Sequence, residues 1–224
     1  MKALTEQVSA LFWKDLVSEL RTRDVLGGMA IFSLLTLLIF SFAFDLRLDD
    51  ATTVAPGILW VAFIFSGMLG LGRSFVLEHN ASALDGLLAA PIERGAIYLA
   101  KLLGNLGFMC LVEAVTLPMF NMFFNLSVST PELIGIALLG TAGFAAIGTL
   151  FSAMAANTRA REVMLPLLML PVSVPVVIAS VRATALALDQ GPVADRLGWI
   201  GLLAAFDLIF IVLCYALFDY VVEE

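Results

Sequence analysis

The chain has 224 residues, 61% of them apolar and 14% charged, with a formal net charge of −7 and a mean hydropathy of +1.02. Soluble domains run at about 45–50% apolar and about 25% charged, and a globule of this size has too little interior to hide the excess. A soluble enzyme and a disordered chain are therefore excluded, and the negative balance argues against nucleic acid as a partner.

The first 24 residues form a charged leader. Leu4, Val8, Phe12, Leu16 and Leu20 recur at every fourth position, a spacing that drifts about 40° per step on a helix of about 3.6 residues per turn. Leu11, Trp13 and Val17 broaden this apolar side, while Asp15 and Glu19 interrupt it. Lys14, Arg21 and Arg23 suit anionic headgroups, so the expectation for residues 1–24 is an interfacial helix.

A hydrocarbon core about 30 Å thick needs roughly 20 apolar residues as helix. Six stretches qualify: Val25–Phe44, Val54–Gly72, Leu102–Phe124, Leu133–Ala155, Val163–Val181 and Gly198–Phe218. Lipid offers no partner to an open strand edge, so each is read as a helix. The predicted architecture is all-α and polytopic, a single domain over residues 1–224 in which the interfacial helix of residues 1–24 precedes six spans within residues 25–224. Lys and Arg set the orientation. Nine of the 12 fall before span one, between spans two and three, or between spans four and five; Arg47, Arg182 and Arg196 fall on the other side. Both termini are therefore expected in the cytoplasm.

The long polar connection between spans two and three is then internal. A short helix is expected over Glu78–Ala90, with Leu84, Leu87 and Leu88 at i, i+3 and i+4. Pro91 ends it, because the residue before a proline avoids the helical region, and a second helix begins near Glu93 and enters span three. An apolar-faced helix lying along the membrane suits the groove of a soluble partner; the plainer alternative is a solvated elbow. His79, the single histidine, reads as a surface residue of this loop.

Within the membrane, Glu113 sits in span three and Asp207 in span six. An acid at a helix centre costs about 2.5–3.5 kcal/mol on insertion scales, so both should face protein or water. No base remains in the apolar runs; each acid is expected neutral, with Asn105, Asn121 or Thr116 as hydrogen-bond partners. Glu113 is as much a functional candidate as an interhelical contact. Pro166, Pro171 and Pro175 each delete a backbone donor from span five. Broken backbone is tolerated only against protein or a cavity, so span five is expected to be internal, bent and near any moving part. Span four repeats small residues every fourth position, Ala137, Thr141, Ala145, Thr149 and Ala153, beside Gly140, Gly143 and Gly148. Such a face allows close helix approach, within the subunit or between subunits. Cys110 and Cys214 lie in apolar runs and imply neither a disulfide nor a zinc site. The P-loop, H-E-x-x-H, C-x-x-C-H and G-x-S-x-G motifs are all missing, so catalytic and metal-ligating residues are expected to be none.

Six spans, an amphipathic start and an E-x₅-LDGLLAAPIERGAIYLAK elbow resemble the ABC-2 type transporter permeases. Four runs narrow the likeness to the CcmB family of haem exporter permease subunits: APGILWVAFIFSGMLGLGRSF (Ala55–Phe75), LDGLLAAPIERGAIYLAKLLGN (Leu84–Asn105), LLGTAGFAAIGTLFSA (Leu138–Ala153) and REVMLPLLMLPVSVPVVIASV (Arg161–Val181). The elbow alone marks only the wider group; the APG-I-W opening of span two and the LP-x₃-P of span five are more specific. The elbow departs from the family at Asn80-Ala81-Ser82-Ala83, where an acid and a glycine are usual. The resemblance implies a bacterial inner-membrane subunit in cytochrome c maturation, present as a homodimer. Its implied partners are a separate ATPase (CcmA), the membrane proteins CcmC and CcmD, and the haem chaperone CcmE, with haem as candidate cargo. It assigns ATPase coupling to Glu78, Leu84, Asp85, Leu87, Leu88 and Pro91. In the wider group the cargo would be a lipid, drug or glycan.

Overall fold

A computed structural model describes residues 2–44, 51–74, 92–126, 130–156, 158 and 161–223. It contains α1 (Lys2–Thr22), α2 (Asp24–Phe44), α3 (Ala51–Ser74), α4 (Arg94–Phe124), α5 (Pro131–Ala156), α6 (Arg161–Leu188) and α7 (Val193–Glu223), with no strand among the described residues. The last six are long and apolar enough to cross a membrane. Each contains one of the six apolar stretches, and most extend beyond it: α4 begins two turns before Leu102, and α6 and α7 reach toward each other past Val181 and Gly198. The extensions bring Lys101, Arg182 and Arg196 inside helices. A helix satisfies its own backbone and need not stop at the edge of the hydrocarbon.

The helix ends follow local chemistry. Arg23 adopts φ 58° between α1 and α2. Across that break the Glu19 carboxylate accepts from the backbone N–H of Val25 (2.9 Å) and Leu26 (2.8 Å), capping α2. Asn125 ends α4 in the left-handed region, as Asn tolerates. Pro131 opens α5 where its missing N–H costs nothing, and the Thr130 hydroxyl accepts from Leu133 N at 3.3 Å. Gln190, φ 52°, ends the α6 segment, with Gly191 N donating to Leu186 O at 2.8 Å.

The centre of the bundle is α5, packed against α3, α4, α6 and α7. Its glycines fix these contacts. A side chain at Gly140 would strike Trp60 of α3 and Ser180 of α6; one at Gly143 would strike Asp207 of α7 and Val176 of α6; one at Gly148 would strike Leu71 of α3 and Met169 of α6. The small-residue face therefore serves packing within one subunit. Phe63, Tyr98, Phe120, Phe144 and Phe218 fill the spaces between.

The expectation for span five requires correction. It is not internal: 33% of its apolar stretch is buried, against 72% for α3 and α5. Leu165, Met169, Ser173, Val176 and Ser180 face the bundle, while Val163, Leu167, Leu170, Val174 and Ile178 are exposed. Pro171 and Pro175 lie on the exposed side of one unbroken helix. The physical reason is the α5 surface, whose notches accept Met169, Val176 and Ser180 and so turn the prolines outward.

Candidate functional site

The proposed coupling residues Glu78, Leu84, Asp85, Leu87, Leu88 and Pro91, with His79, lie outside the described residues. The two roots of that segment are described: α3 ends at Ser74, and α4 starts at Arg94 behind an extended Glu93. The second helix thus begins where the sequence placed it.

The roots are tied together. Lys101, 7% exposed, forms an ion pair with Asp15 of α1 at 2.8 Å and donates to the backbone carbonyl of Ser74 at 3.4 Å. The Gln7 side chain accepts from Glu93 N at 3.4 Å. Arg94 donates to the Asp219 carbonyl at 3.4 Å, and the Tyr215 ring fills the space over Gly95. The start of α4 is therefore held by α1, by the end of α3 and by the end of α7. Asp15 and Glu19, which looked like flaws in an amphipathic stripe, are the two anchoring acids of α1. The signal for Asp15 was available as an acid on an apolar face; its partner Lys101 is 86 residues away and was not.

Deeper in the bundle, polar side chains link neighbouring helices. Glu113 of α4 accepts from the Thr141 hydroxyl of α5. Asn105 donates to Thr149 (3.0 Å), and the Tyr98 hydroxyl to Ala146 O (3.2 Å), both joining α4 to α5. Ser33 pairs with Thr116 at 2.9 Å, joining α2 to α4. Ser152 donates to Leu71 O at 2.5 Å, and Trp60 to Thr184 at 3.0 Å. The partner of Glu113 is thus Thr141, not Asn105 or Thr116, because the small-residue row of α5 brings its two threonines against α4. Asp207 is buried against Gly143, and neither of its oxygens has a hydrogen bond among the described residues. The structure does not bring Glu113, Pro166, Pro171 and Pro175 together: Glu113 is within the α4–α5 contact, whereas Pro171 and Pro175 face outward from α6. Among the described residues no group of three or more His, Cys, Asp or Glu is placed to hold a metal ion.

Six apolar helices, with the polar-linked α5 at their centre, define a multi-pass helical membrane protein, with a charged junction at one end of the bundle. The chain belongs to the CcmB protein family, which matches residues 6–220. It is 29% identical over 177 residues to heme exporter protein B of Paracoccus denitrificans, covering 79% of this chain and 81% of that protein. To heme exporter protein B of Pseudomonas aeruginosa it is 26% identical over 184 residues, 82% of each chain. To that of Escherichia coli K12 it is 26% identical over 202 residues, 87% of this chain and 91% of the other. These relatives are bacterial proteins, each named for haem export.

Proposed function

We propose that this chain is the permease subunit through which a separate ATPase works on a haem exporter complex in cytochrome c maturation, driving haem export or release of the haem-loaded chaperone. The single observation behind this reading is the family match across residues 6–220. In it, two copies pair with two ATPase subunits, beside CcmC-like and CcmD-like membrane proteins and a CcmE-like chaperone. Both termini and the 75–91 connection face the cytoplasm, and α1 lies along the inner interface. The helix over residues 78–90 docks into the ATPase, with Leu84, Leu87 and Leu88 as grip and Glu78 and Asp85 as orienting charges; Pro91 ends it.

The Lys101 tie supports this reading mechanically. Because Lys101 contacts both Asp15 and the Ser74 carbonyl, a displacement of the elbow reaches α1, α3 and α4 together rather than one helix alone. From α4 it passes to α5 through Asn105 and Glu113. Packed side chains and hydrogen bonds of this kind can carry coupling between helices.

The test is the double variant Leu87→Asp with Leu88→Asp, which places two charges on the docking face. The expected result is loss of co-purification with the ATPase and of cytochrome c assembly, with membrane levels of the chain unchanged. Retention of both would overturn the coupling role.

A further inference from the structure

We propose that a groove bounded by α2, α3, α5 and α6 binds an anionic phospholipid, its acyl chain along the apolar wall and its phosphate on Arg73. The groove encloses about 460 Å³, within the about 300–1,000 Å³ typical of small-molecule sites. Phe32, Phe65, Leu69 and Leu165 supply the apolar wall. Phe65 and Leu69 are 44% and 48% exposed, so the groove opens sideways, toward where lipid chains lie. The hydroxyl of Ser152, which also lines it, is already committed to the Leu71 carbonyl. That leaves Arg73 as the cationic group of the lining.

Arg73 stands in the last turn of α3, is exposed, and makes no ion pair or side-chain hydrogen bond among the described residues. Lys101, near the same end of the bundle, is instead committed to Asp15. A guanidinium at the mouth of an apolar slot, in the last turn of a helix long enough to span the bilayer, matches a phosphate above an acyl chain. The lining fits a macrocycle less well. It offers one cation where haem has two acidic arms, and for an iron only the weak Met68 thioether, with no His, Cys or Tyr.

The proposal requires neither ATPase nor haem, so it stands or falls separately from the exporter reading. The full-length chain is purified in mild detergent and loaded with phosphatidylglycerol or phosphatidylcholine, and bound lipid is counted by native mass spectrometry. The wild type is expected to retain phosphatidylglycerol about five- to tenfold better, the range of one favourable basic contact. Arg73→Gln should remove that preference, and Gly72→Leu, which fills the groove, should reduce retention of both lipids. Arg182→Gln, at the opposite end of α6, should change nothing. Equal retention of the two lipids by the wild type, or a preference that survives Arg73→Gln, overturns the proposal. A disulfide-linked dimer through Leu69→Cys that excludes lipid also overturns it, in favour of a second copy as the occupant.

Discussion

Glu19 and Asp15 interrupt the apolar stripe of the first helix, and both prove to be contacts rather than blemishes: one caps α2, the other pairs with Lys101. An unanswered acid on an apolar face carries a free-energy cost, so the need for a partner at Asp15 and Glu19 was legible and the partner was not. Glu113 follows the same logic inside the bundle, with Thr141 as the donor. Interhelical hydrogen bonds in membranes average about 0.6 kcal/mol and reach about 1.7 kcal/mol. Thr141→Val, which removes the donor, should therefore destabilise the chain by about 0.5–2 kcal/mol in detergent unfolding. Glu113→Gln, which keeps an accepting oxygen, should cost less than Thr141→Val. The reverse order would mean that Thr141 is not the group that satisfies Glu113.

At the scale of elements, the spans were legible because lipid enforces a single rule: about 20 apolar residues, helical. Their faces were harder to read. The small-residue row of α5 announced close approach, yet only the packing shows it meeting α4 with its threonines while the neighbouring glycines receive α3, α6 and α7. The prolines of α6 were placed inside because broken backbone needs cover; Pro171 and Pro175 face outward because α5 admits only the other side of that helix, while Pro166 is half-buried beside the groove. The first helix is attached chiefly through its contact with α4. Lys101→Met takes the buried cation from Asp15 and leaves it only the exposed Lys14 at 3.2 Å, at a cost of about 1–3 kcal/mol. Tryptic cleavage after Arg21 or Arg23 should accelerate several-fold in detergent. Unchanged cleavage would mean that the ion pair does not hold α1.

At the scale of the molecule, the orientation inferred from Lys and Arg can be checked in cells. A cysteine at Gln190, in the α6–α7 turn, should react with an impermeant maleimide in spheroplasts, in a background lacking Cys110 and Cys214. One at Asn80 should react only after the membrane is opened. The opposite pattern would put the elbow outside and remove its access to a cytoplasmic ATPase.

The sequence by itself determined that this chain crosses a membrane six times as helices, where those helices lie, and to which family it is similar. Hydropathy and span length are properties of contiguous residues, and the bilayer reads them directly. Tertiary structure alone decided which acids find partners, which face of each helix is inside, and that the roots of the elbow are joined through Lys101. Those facts depend on residues as far apart as Asp15 and Lys101, or Ser33 and Thr116, that meet only when the bundle closes. No local pattern records such meetings, because in hydrocarbon the apolar surfaces are nearly equivalent, and packing shape and a few hydrogen bonds choose among them.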